Sequence, residues 1–188
     1  LSVDGHPLEN ILNRPWGINI RKSETLDGQD ADDLDTSSYL TVYYTDDETK
    51  RYLVPVTFKS DKIVLKEDQK GEKIAPLPEE KAEAALLHLV EGPGELEGLV
   101  AIFPQDLKAK KFEVVDGVAY VDVDGKLLLK LASEEQHAQI ALQSIVQTLT
   151  AIDGIDKVQL TIDGKAGYIV GNINLSKPIP RLKWYNNL

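Results

Sequence analysis

Cysteine and methionine are both absent from the 188-residue chain. The lack of cysteine excludes disulfide bonds, thiol nucleophiles and thiolate metal sites. The chain also opens on Leu1 rather than on a start methionine, so we expect a signal or lipid-anchor segment upstream of it in the parent protein. No apolar run approaches the roughly 20 residues of a membrane-spanning helix. The sequence therefore predicts no membrane insertion by the folded domain itself.

A surplus of positive charge is missing as well. The chain has 21 Lys and Arg against 31 Asp and Glu, a formal net charge of −10. Such a charge repels nucleic-acid phosphates and anionic lipid headgroups, so neither is an expected partner. Hydrophobic residues at 42% and charged residues at 28% are typical of a soluble globular protein, long enough here for one domain with a sizeable core.

Known catalytic and metal-binding patterns are lacking too. The three histidines, His6, His88 and His137, are far apart and match no zinc spacing. No nucleophile elbow, Walker loop or His-Glu-x-x-His motif occurs. Among 31 acidic residues, nothing singles out one pair as glycosidase carboxylates. The sequence thus predicts no enzyme, and assigns no catalytic, cofactor-binding or metal-binding residue.

Residues 1–38 are weakly patterned and are predicted to form an N-terminal arm and acidic linker. Residues 15–20 fit either one short strand or an arm whose Trp16 docks on the domain. Six acids then crowd a stretch with few apolar residues: Glu24, Asp27, Asp30, Asp32, Asp33 and Asp35. Repulsion among these charges favours a solvated linker. A calcium loop is the functional alternative, but the acids lack its spacing.

The first ordered elements are predicted to be a β-hairpin. Residues 39–45 alternate with a period of two, and residues 52–58 return after a polar turn at 46–49. Pro55 cannot donate a ladder hydrogen bond and therefore indicates an edge strand. Three tyrosines are candidates for a carbohydrate-stacking platform: Tyr43, Tyr44 and Tyr52. Cross-strand packing is the structural alternative for these side chains, and we favour it.

A first amphipathic helix is predicted over residues 78–91. Pro78 suits the first helical position, and the acids behind it complement the helix N-terminus. The predicted buried stripe is Ala82, Ala85, Leu86, Leu89 and Val90. The glycines at 92, 94 and 98 end the helix, and their spacing is wrong for a phosphate-binding loop. The charged connector 59–75 holds at most a short strand at 63–65, and the apolar run 98–104 is expected to be a buried connector or strand.

The Asp116-Gly117 dipeptide predicts a second hairpin with a two-residue type I′ turn. Such a turn pairs residue 115 with 118, 114 with 119 and 112 with 121. The core face is then predicted to be Phe112, Val114, Ala119 and Val121. The acids on or near the turn, Asp116, Asp122 and Asp124, are interpreted as turn and surface residues rather than metal ligands.

A second helix and a strand complete the pattern. The capping box Ser133-Glu134-Glu135-Gln136 starts a helix that should reach about residue 152 and end at Asp153-Gly154. Its predicted core face is Ala138, Ala141, Leu142, Ile145, Val146 and Leu149. Three glutamines are expected elsewhere on its surface: Gln139, Gln143 and Gln147. Residues 157–162 form an alternating strand, and residues 171–181 fit one more edge strand.

These elements predict an α+β fold. Two main helices would pack on one face of a mostly antiparallel or mixed sheet, because each helix has one apolar face and the strands alternate. The predicted organisation is a single domain over residues 39–181, with the arm and linker at 1–38 and a C-terminal tail at 182–188. The pattern leaves the oligomeric state open.

Six ordered motifs resemble the GerMN-type domain of bacterial sporulation and spore-germination proteins. They are Leu89-Val90-Glu91-Gly92-Pro93, Phe103-Pro104, Val115 to Asp122, Gln143 to Thr150, Val158 to Gly164, and Asn172 to Pro178. The resemblance as a whole extends over about residues 39–181. The chain shows one copy of the pattern, whereas some members of the family have two.

The resemblance implies an extracytoplasmic protein, often a lipoprotein, of a Gram-positive bacterium, with a fold similar to ring-building modules. It also implies a non-enzymatic domain of the cell envelope that binds other envelope or spore-machinery proteins in sporulation or germination. The family has no agreed catalytic residues, so none is transferred. The alternative hypothesis is a module that binds or hydrolyses cell-wall glycan, which the tyrosine-rich hairpin and the many acids motivate.

Overall fold

The computed structural model describes residues 2–3, 6–7, 10–11, 14–15, 37–103, 111–125, 135–170 and 173–183. Two helices lie within these ranges, α1 (Pro78–Glu91) and α2 (Glu135–Leu149). The strands, in chain order, are β1 (Ser2–Val3), β2 (His6–Pro7), β3 (Asn10–Ile11), β4 (Arg14–Pro15), β5 (Tyr39–Asp46), β6 (Leu53–Lys59), β7 (Lys66–Glu67), β8 (Lys73–Ile74), β9 (Leu99–Val100), β10 (Lys111–Val115), β11 (Val118–Val123), β12 (Lys157–Ile162), β13 (Ile169–Val170), β14 (Ile173–Asn174) and β15 (Ile179–Pro180).

The strands of the described ranges divide over two larger sheets and four short hairpins. One sheet is antiparallel and has the order β6-β5-β9, and the other is mixed and has the order β10-β11-β12-β15. Strands β11 and β12 are parallel, which requires a crossover, and α2 lies in that crossover. The fold is α+β, as the sequence predicts, although the strands form two main sheets instead of one.

Both helices contact both sheets. Helix α1 packs against β5, β10 and α2, whereas α2 packs against β5, β12 and β13. One continuous core joins these elements. Every residue of the predicted α2 core face is buried, and all of them except Ala138 belong to this core. The predicted buried stripe of α1 is confirmed for Ala82, Ala85 and Leu89, which are fully buried, whereas Leu86 and Val90 are half-buried.

The second hairpin has the predicted register. Val115 pairs with Val118 and Phe112 pairs with Val121 across the turn. Asp116 and Gly117 adopt positive φ values of 49° and 74°, as a type I′ turn requires. Ala119 and Val121 are buried, and both residues of β10 predicted for the core face pack against the core. The predicted edge position of Pro55 is confirmed as well, because β6 is the outer strand of its sheet.

Two expectations about α2 are wrong. The helix ends at Leu149 rather than near residue 152, because the backbone changes there to 3₁₀-type hydrogen bonds. The N–H groups of Ala151 and Ile152 donate to the carbonyls three residues back, those of Thr148 and Leu149. The three glutamines expected on its surface are buried, since this helix has a second protein-facing side: Gln139, Gln143 and Gln147. The start of the capping box, residues 133–134, lies outside the described residues.

Residues 63–65 form no strand. The connector instead forms the β7–β8 hairpin, whose turn is set by Asp68. The Asp68 carboxylate accepts hydrogen bonds from the N–H groups of Lys70 and Glu72 at 2.8 and 2.9 Å. Near the C-terminus, β15 pairs with β12 as the expected edge strand.

The N-terminal region forms short hairpins, with β1 paired to β2 and β3 paired to β4. Of residues 15–20, predicted to form a short strand or a docked arm, the structure describes Pro15, at the end of β4. Trp16 and the acidic segment 24–35 lie outside the described residues.

Candidate functional site

His88 lies in the only cluster of described residues that resembles a catalytic arrangement. Its Nε2 is 2.9 Å from the Ser60 Oγ and 3.6 Å from an Asp61 carboxylate oxygen. In a Ser-His-Asp triad the serine and the carboxylate contact different ring nitrogens. Here both contact the same nitrogen, and Ser60 is only 4% exposed. The cluster therefore lacks the geometry of an acyl-transfer site.

The His88 cluster connects α1 to the first sheet. The rings of His88 and Phe58 are nearly perpendicular with centroids 4.7 Å apart, and the Tyr44 hydroxyl donates to the His88 carbonyl at 3.3 Å. Burial, and then the nearby Lys62 cation, lower the pKa of His88, against smaller opposite effects of the neighbouring carboxylates. His88 is therefore neutral and hydrogen-bonded to the buried Ser60.

The tyrosines of the first hairpin do not form an exposed platform. Tyr43 is 3% exposed and Tyr44 is also buried, so neither ring can stack against a sugar. The Tyr43 hydroxyl instead accepts a hydrogen bond from Arg181 at 2.8 Å. The stacking alternative is therefore wrong for these two residues, because Tyr43 packs against Leu53 and Ile140 and Tyr44 belongs to the main core.

The acids of the second hairpin have structural contacts. The Asp122 carboxylate accepts hydrogen bonds at 2.7 Å from the Thr161 hydroxyl and from the Gly164 N–H, which links β11 to the turn after β12. Among the described residues, no three His, Asp or Glu side chains are grouped to hold a metal ion. Within the same ranges, no helix is long and apolar enough to cross a bilayer.

Polar side chains of α2 hydrogen-bond to the part of the β5 edge where no strand pairs with it. The Ser144 hydroxyl donates to the Tyr43 carbonyl at 2.6 Å, and the Tyr43 N–H donates to the Thr148 hydroxyl at 3.0 Å. Sequence reasoning missed this pair. The available signal was the spacing of the two hydroxyls, four residues apart and therefore on one side of the helix.

The outer face of α1 bears an apolar groove, which we call the α1 groove. It has a volume of about 350 Å³. Its walls come from α1 and from the β10–β11 hairpin, with Leu86, Leu87 and Val90 on one side and Phe112, Val121 and Val123 on the other. A smaller hollow of about 210 Å³ lies on the other side of α1, against residues 62–66, and shares Leu87 and Glu83 with the groove.

Large apolar side chains around this face are exposed. Leu87 is 49% exposed between the two hollows, and Val64 is 80% exposed at the rim of the smaller one. Exposed apolar side chains grouped beside an apolar groove are a candidate interaction surface. The sequence signal was Leu87 itself, an apolar residue outside the buried stripe.

Comparison with known proteins agrees with the resemblance read from the motifs. The model of the Germane family, described as sporulation and spore germination, matches residues 41–167. The chain is also 29% identical over 187 residues to the spore germination protein GerM of Bacillus subtilis. That alignment covers 96% of this chain but 45% of GerM, so the chain spans less than half of that relative.

Solved structures show the same fold. The chain superposes on the tandem GerMN domains of B. subtilis GerM with a TM-score of 0.53 and 26% identity, covering 79% of this chain and 47% of that one. The first GerMN domain alone gives a TM-score of 0.52 at 25% identity, with 76% of this chain and 97% of that chain covered. The likeness is therefore to one unit of a tandem pair. Since the family model matches more than half of its length, this chain belongs to the Germane family of sporulation and spore germination domains.

Proposed function

We propose that the protein is a non-enzymatic, extracytoplasmic interaction domain that acts in sporulation or spore germination, and that the α1 groove is its docking surface. The observation on which this rests is the exposed Leu87 between the apolar α1 groove and the smaller, partly charged hollow. A side chain that fills such a hollow is removed from water, and apolar burial is the main favourable term in protein association.

The charge around the groove indicates the chemistry of the partner. Glu83 is exposed and borders both hollows, whereas the lysines of the smaller hollow, Lys62 and Lys66, form ion pairs with Glu91 and Glu80. Glu79 is exposed on the same helix, and the whole chain has a net charge of −10. We infer that the occupant is an amphipathic helix of an envelope or spore-machinery protein. Its Leu-like anchors would enter the hollows while Lys or Arg side chains approach Glu83.

The geometry of the His88 cluster supports a role without catalysis. Ser60 and His88 are the described pair most similar to a nucleophile and its base, yet Ser60 is closed to substrate by burial. Both residues are occupied in connecting α1 to the first sheet.

An extracytoplasmic location is supported by the resemblance of the sequence motifs to a family of exported domains. Protease added to intact protoplasts of the parent organism should degrade the protein while a cytoplasmic marker survives. Protection of both proteins until the protoplasts are lysed would contradict the location, without bearing on the docking surface.

The docking surface is tested with a designed peptide. A fluorescent 14-residue helix with Leu at positions i, i+3, i+4 and i+7 and Lys elsewhere should bind saturably, as measured by anisotropy. The same peptide with Glu in place of Lys should bind at least about tenfold more weakly, because its negative charges repel Glu83.

Matched variants separate the groove from general charge attraction. Leu87→Asp should abolish binding, whereas Ile169→Asp, a similar change at an exposed residue of β13, should not. Glu83→Lys should weaken binding of the Lys peptide more than Glu48→Lys, which lies in the β5–β6 turn. Equal effects of the members of either pair would overturn the assignment of the groove.

A further inference from the structure

Residues 60–66, which we call the flanking segment, lie beside α1 and contribute four of the residues that line the smaller hollow. Three polar contacts bind this segment to the helix: Lys62 with Glu91, Lys66 with Glu80, and Ser60 with His88. Lysine and glutamate side chains ordinarily keep their charges between about pH 5 and 7, whereas imidazole does not. The contact at His88 is therefore the pH-sensitive one of the three.

The Ser60 hydroxyl shows which form of His88 is present near neutral pH. Its oxygen accepts a hydrogen bond from the Lys62 N–H at 3.1 Å and lies 2.9 Å from the His88 Nε2. A hydroxyl has one hydrogen to donate, and Ser60, at 4% exposure, is too buried to donate it to bulk water. The His88 Nε2 is then the acceptor of that hydrogen. We therefore assign the proton of the neutral ring to Nδ1.

The same ring nitrogen faces a second partner of different character. A carboxylate oxygen of Asp61 lies 3.6 Å from the His88 Nε2, beyond hydrogen-bond distance but near enough to attract a charged ring. A protonated Nε2 has a hydrogen to donate, and a carboxylate accepts it more strongly than a hydroxyl does. The side chain of Asp61 is 82% exposed and has room to approach, whereas the buried Ser60 would lose the acceptor of its own hydrogen. The two protonation states of His88 therefore favour different partners.

Charged groups of two elements face the His88 ring. The flanking segment presents Asp61 and Lys62, and α1 presents Glu91. Strands β5 and β6 present a tyrosine hydroxyl and a phenylalanine ring, neither of them charged. Burial and the Lys62 cation lower the pKa of His88 more than the two carboxylates raise it. The neutral ring thus stabilises the fold above the unfolded value of about 6.5, and this contribution is lost as the pH falls through the folded-state pKa.

We propose that His88 is a pH switch, bonded to Ser60 when neutral and to Asp61 when protonated, and that its protonation loosens the flanking segment from α1. Because this segment forms a wall of the hollow beside Leu87, acidification weakens docking at the α1 groove. The positive charge on the ring also opposes the Lys or Arg side chains of a basic partner. The effect on docking rests on the function proposed above, whereas the switch itself does not.

The switch is tested on the full chain without a partner, by NMR from about pH 7.5 to about pH 5. The His88 ring and the Ser60 and Lys62 amides should titrate together, with a midpoint below about 6.5. In His88→Gln the titration of both amides should disappear, whereas His137→Gln, the same change on α2, should leave it intact. Amides that do not titrate, or that titrate equally in His88→Gln, would overturn the switch.

The exchange of partners is tested by removing each partner in turn. Ser60→Ala removes the donor to the neutral ring and should raise the midpoint, whereas Asp61→Asn removes the acceptor of the charged ring and should lower it, each by about 0.5 pH unit. Asp47→Asn, the same change in the β5–β6 turn, is the control and should leave the midpoint unchanged. Asp61 lies on the surface, so Asp61→Asn gives a result even if Ser60→Ala does not fold. An unchanged midpoint in Asp61→Asn, or shifts of the same sign in both variants, would contradict the exchange.

The effect on docking is measured with the Leu and Lys peptide at about pH 7.5 and about pH 5.5. The peptide should bind about two- to tenfold more weakly at the lower pH, the range expected for one lost hydrogen bond. This pH dependence should be absent in His88→Gln, and an equal dependence in that variant would overturn the coupling of the switch to the groove. If the peptide binds at neither pH while His88 and the two amides titrate as expected, the docking surface is wrong and the switch stands.

Discussion

Asp46 organises the turn between β5 and β6 through one carboxylate. Its oxygens accept hydrogen bonds from the Thr49 N–H and hydroxyl at 2.8 and 2.7 Å, and from the N–H groups of Arg51 and Tyr52 at 2.9 and 2.8 Å. The sequence predicts a polar turn here, but only the structure shows that one of its four polar residues makes all of these bonds.

Replacing Asp46 by Ala should lower the free energy of unfolding by about 2–3 kcal/mol, because it leaves three backbone N–H groups without their acceptor. Urea unfolding measures the change. The neighbouring exposed Asp47→Ala should stay within about 0.5 kcal/mol of wild type. A similar loss in both variants would contradict the special position of Asp46.

The same residue predicts a pH dependence. Burial acts to raise the pKa of Asp46, but the hydrogen bonds from the Thr49 hydroxyl and the three backbone N–H groups outweigh it, so the folded-state pKa is lowered. A lowered folded-state pKa stabilises the protein above the unfolded value of about 3.9 and loses this contribution as the pH falls below it. The stability difference between wild type and Asp46→Asn should therefore shrink below about pH 4.

Two sides of helix α2 contact the rest of the protein, and for this reason its sequence is only partly amphipathic. Its apolar side meets the core, and its polar side supplies Ser144 and Thr148 to the backbone of Tyr43. These hydroxyls take the place of a neighbouring strand at the point where β9 no longer pairs with β5. An unpaired strand edge is thereby avoided.

Removing both hydroxyls by Ser144→Ala and Thr148→Val should cost about 2–3 kcal/mol of unfolding free energy, since two buried backbone groups lose their partners. Hydrogen exchange at the Tyr43 amide should accelerate in parallel. Ser176→Ala, whose hydroxyl is exposed and bonded only to Asn174, is the control and should be neutral within about 0.5 kcal/mol. Unaltered exchange at Tyr43 would contradict the role of α2 at this edge.

The end of α1 requires glycine at position 92. Gly92 has a φ of 88°, and a Cβ atom there would lie 2.8 Å from the Ala101 Cβ. We expect Gly92→Ala to cost about 2–3 kcal/mol through backbone strain and this overlap. Gly94→Ala, also at positive φ but with nothing within 4 Å, should cost only about 1 kcal/mol. Equal costs in thermal or urea unfolding would mean that the overlap with Ala101 is relieved by a small shift.

At the scale of the whole molecule, hydrogen bonds hold Ser38 and Leu182, the residues just outside the domain predicted over 39–181, and the limits of that domain stay a prediction. The Ser60 N–H donates to the Ser38 carbonyl at 2.9 Å at one limit, and the Leu182 carbonyl accepts from Gln147 at the other. Strand β5 and the C-terminal segment are therefore both bound to α2. Gln147 of α2 contacts the Leu182 carbonyl directly, whereas Arg181 bonds to Tyr43, which in turn bonds to Ser144 of α2.

A fragment of residues 37–183 should unfold cooperatively with a midpoint within about 3 °C of the full chain, measured by circular dichroism. A fragment of residues 37–176 lacks β15 and the contacts of Arg181 and Leu182, so its midpoint should fall by about 5–10 °C. A larger loss on removal of residues 1–36 than on removal of residues 177–188 would contradict these limits.

The sequence by itself determined the α+β class, the hairpin register at Asp116-Gly117, most of the buried stripe of α1 and the family resemblance. These features depend on turn angles and on periods of two or 3.6 residues, which neighbours within one or two turns specify. Only the tertiary structure decided that the strands form two sheets, that the α2 glutamines are buried and that hollows flank Leu87. The bonds between Tyr43 and α2 join residues 101 and 105 positions apart, and no local pattern encodes a contact at such a separation.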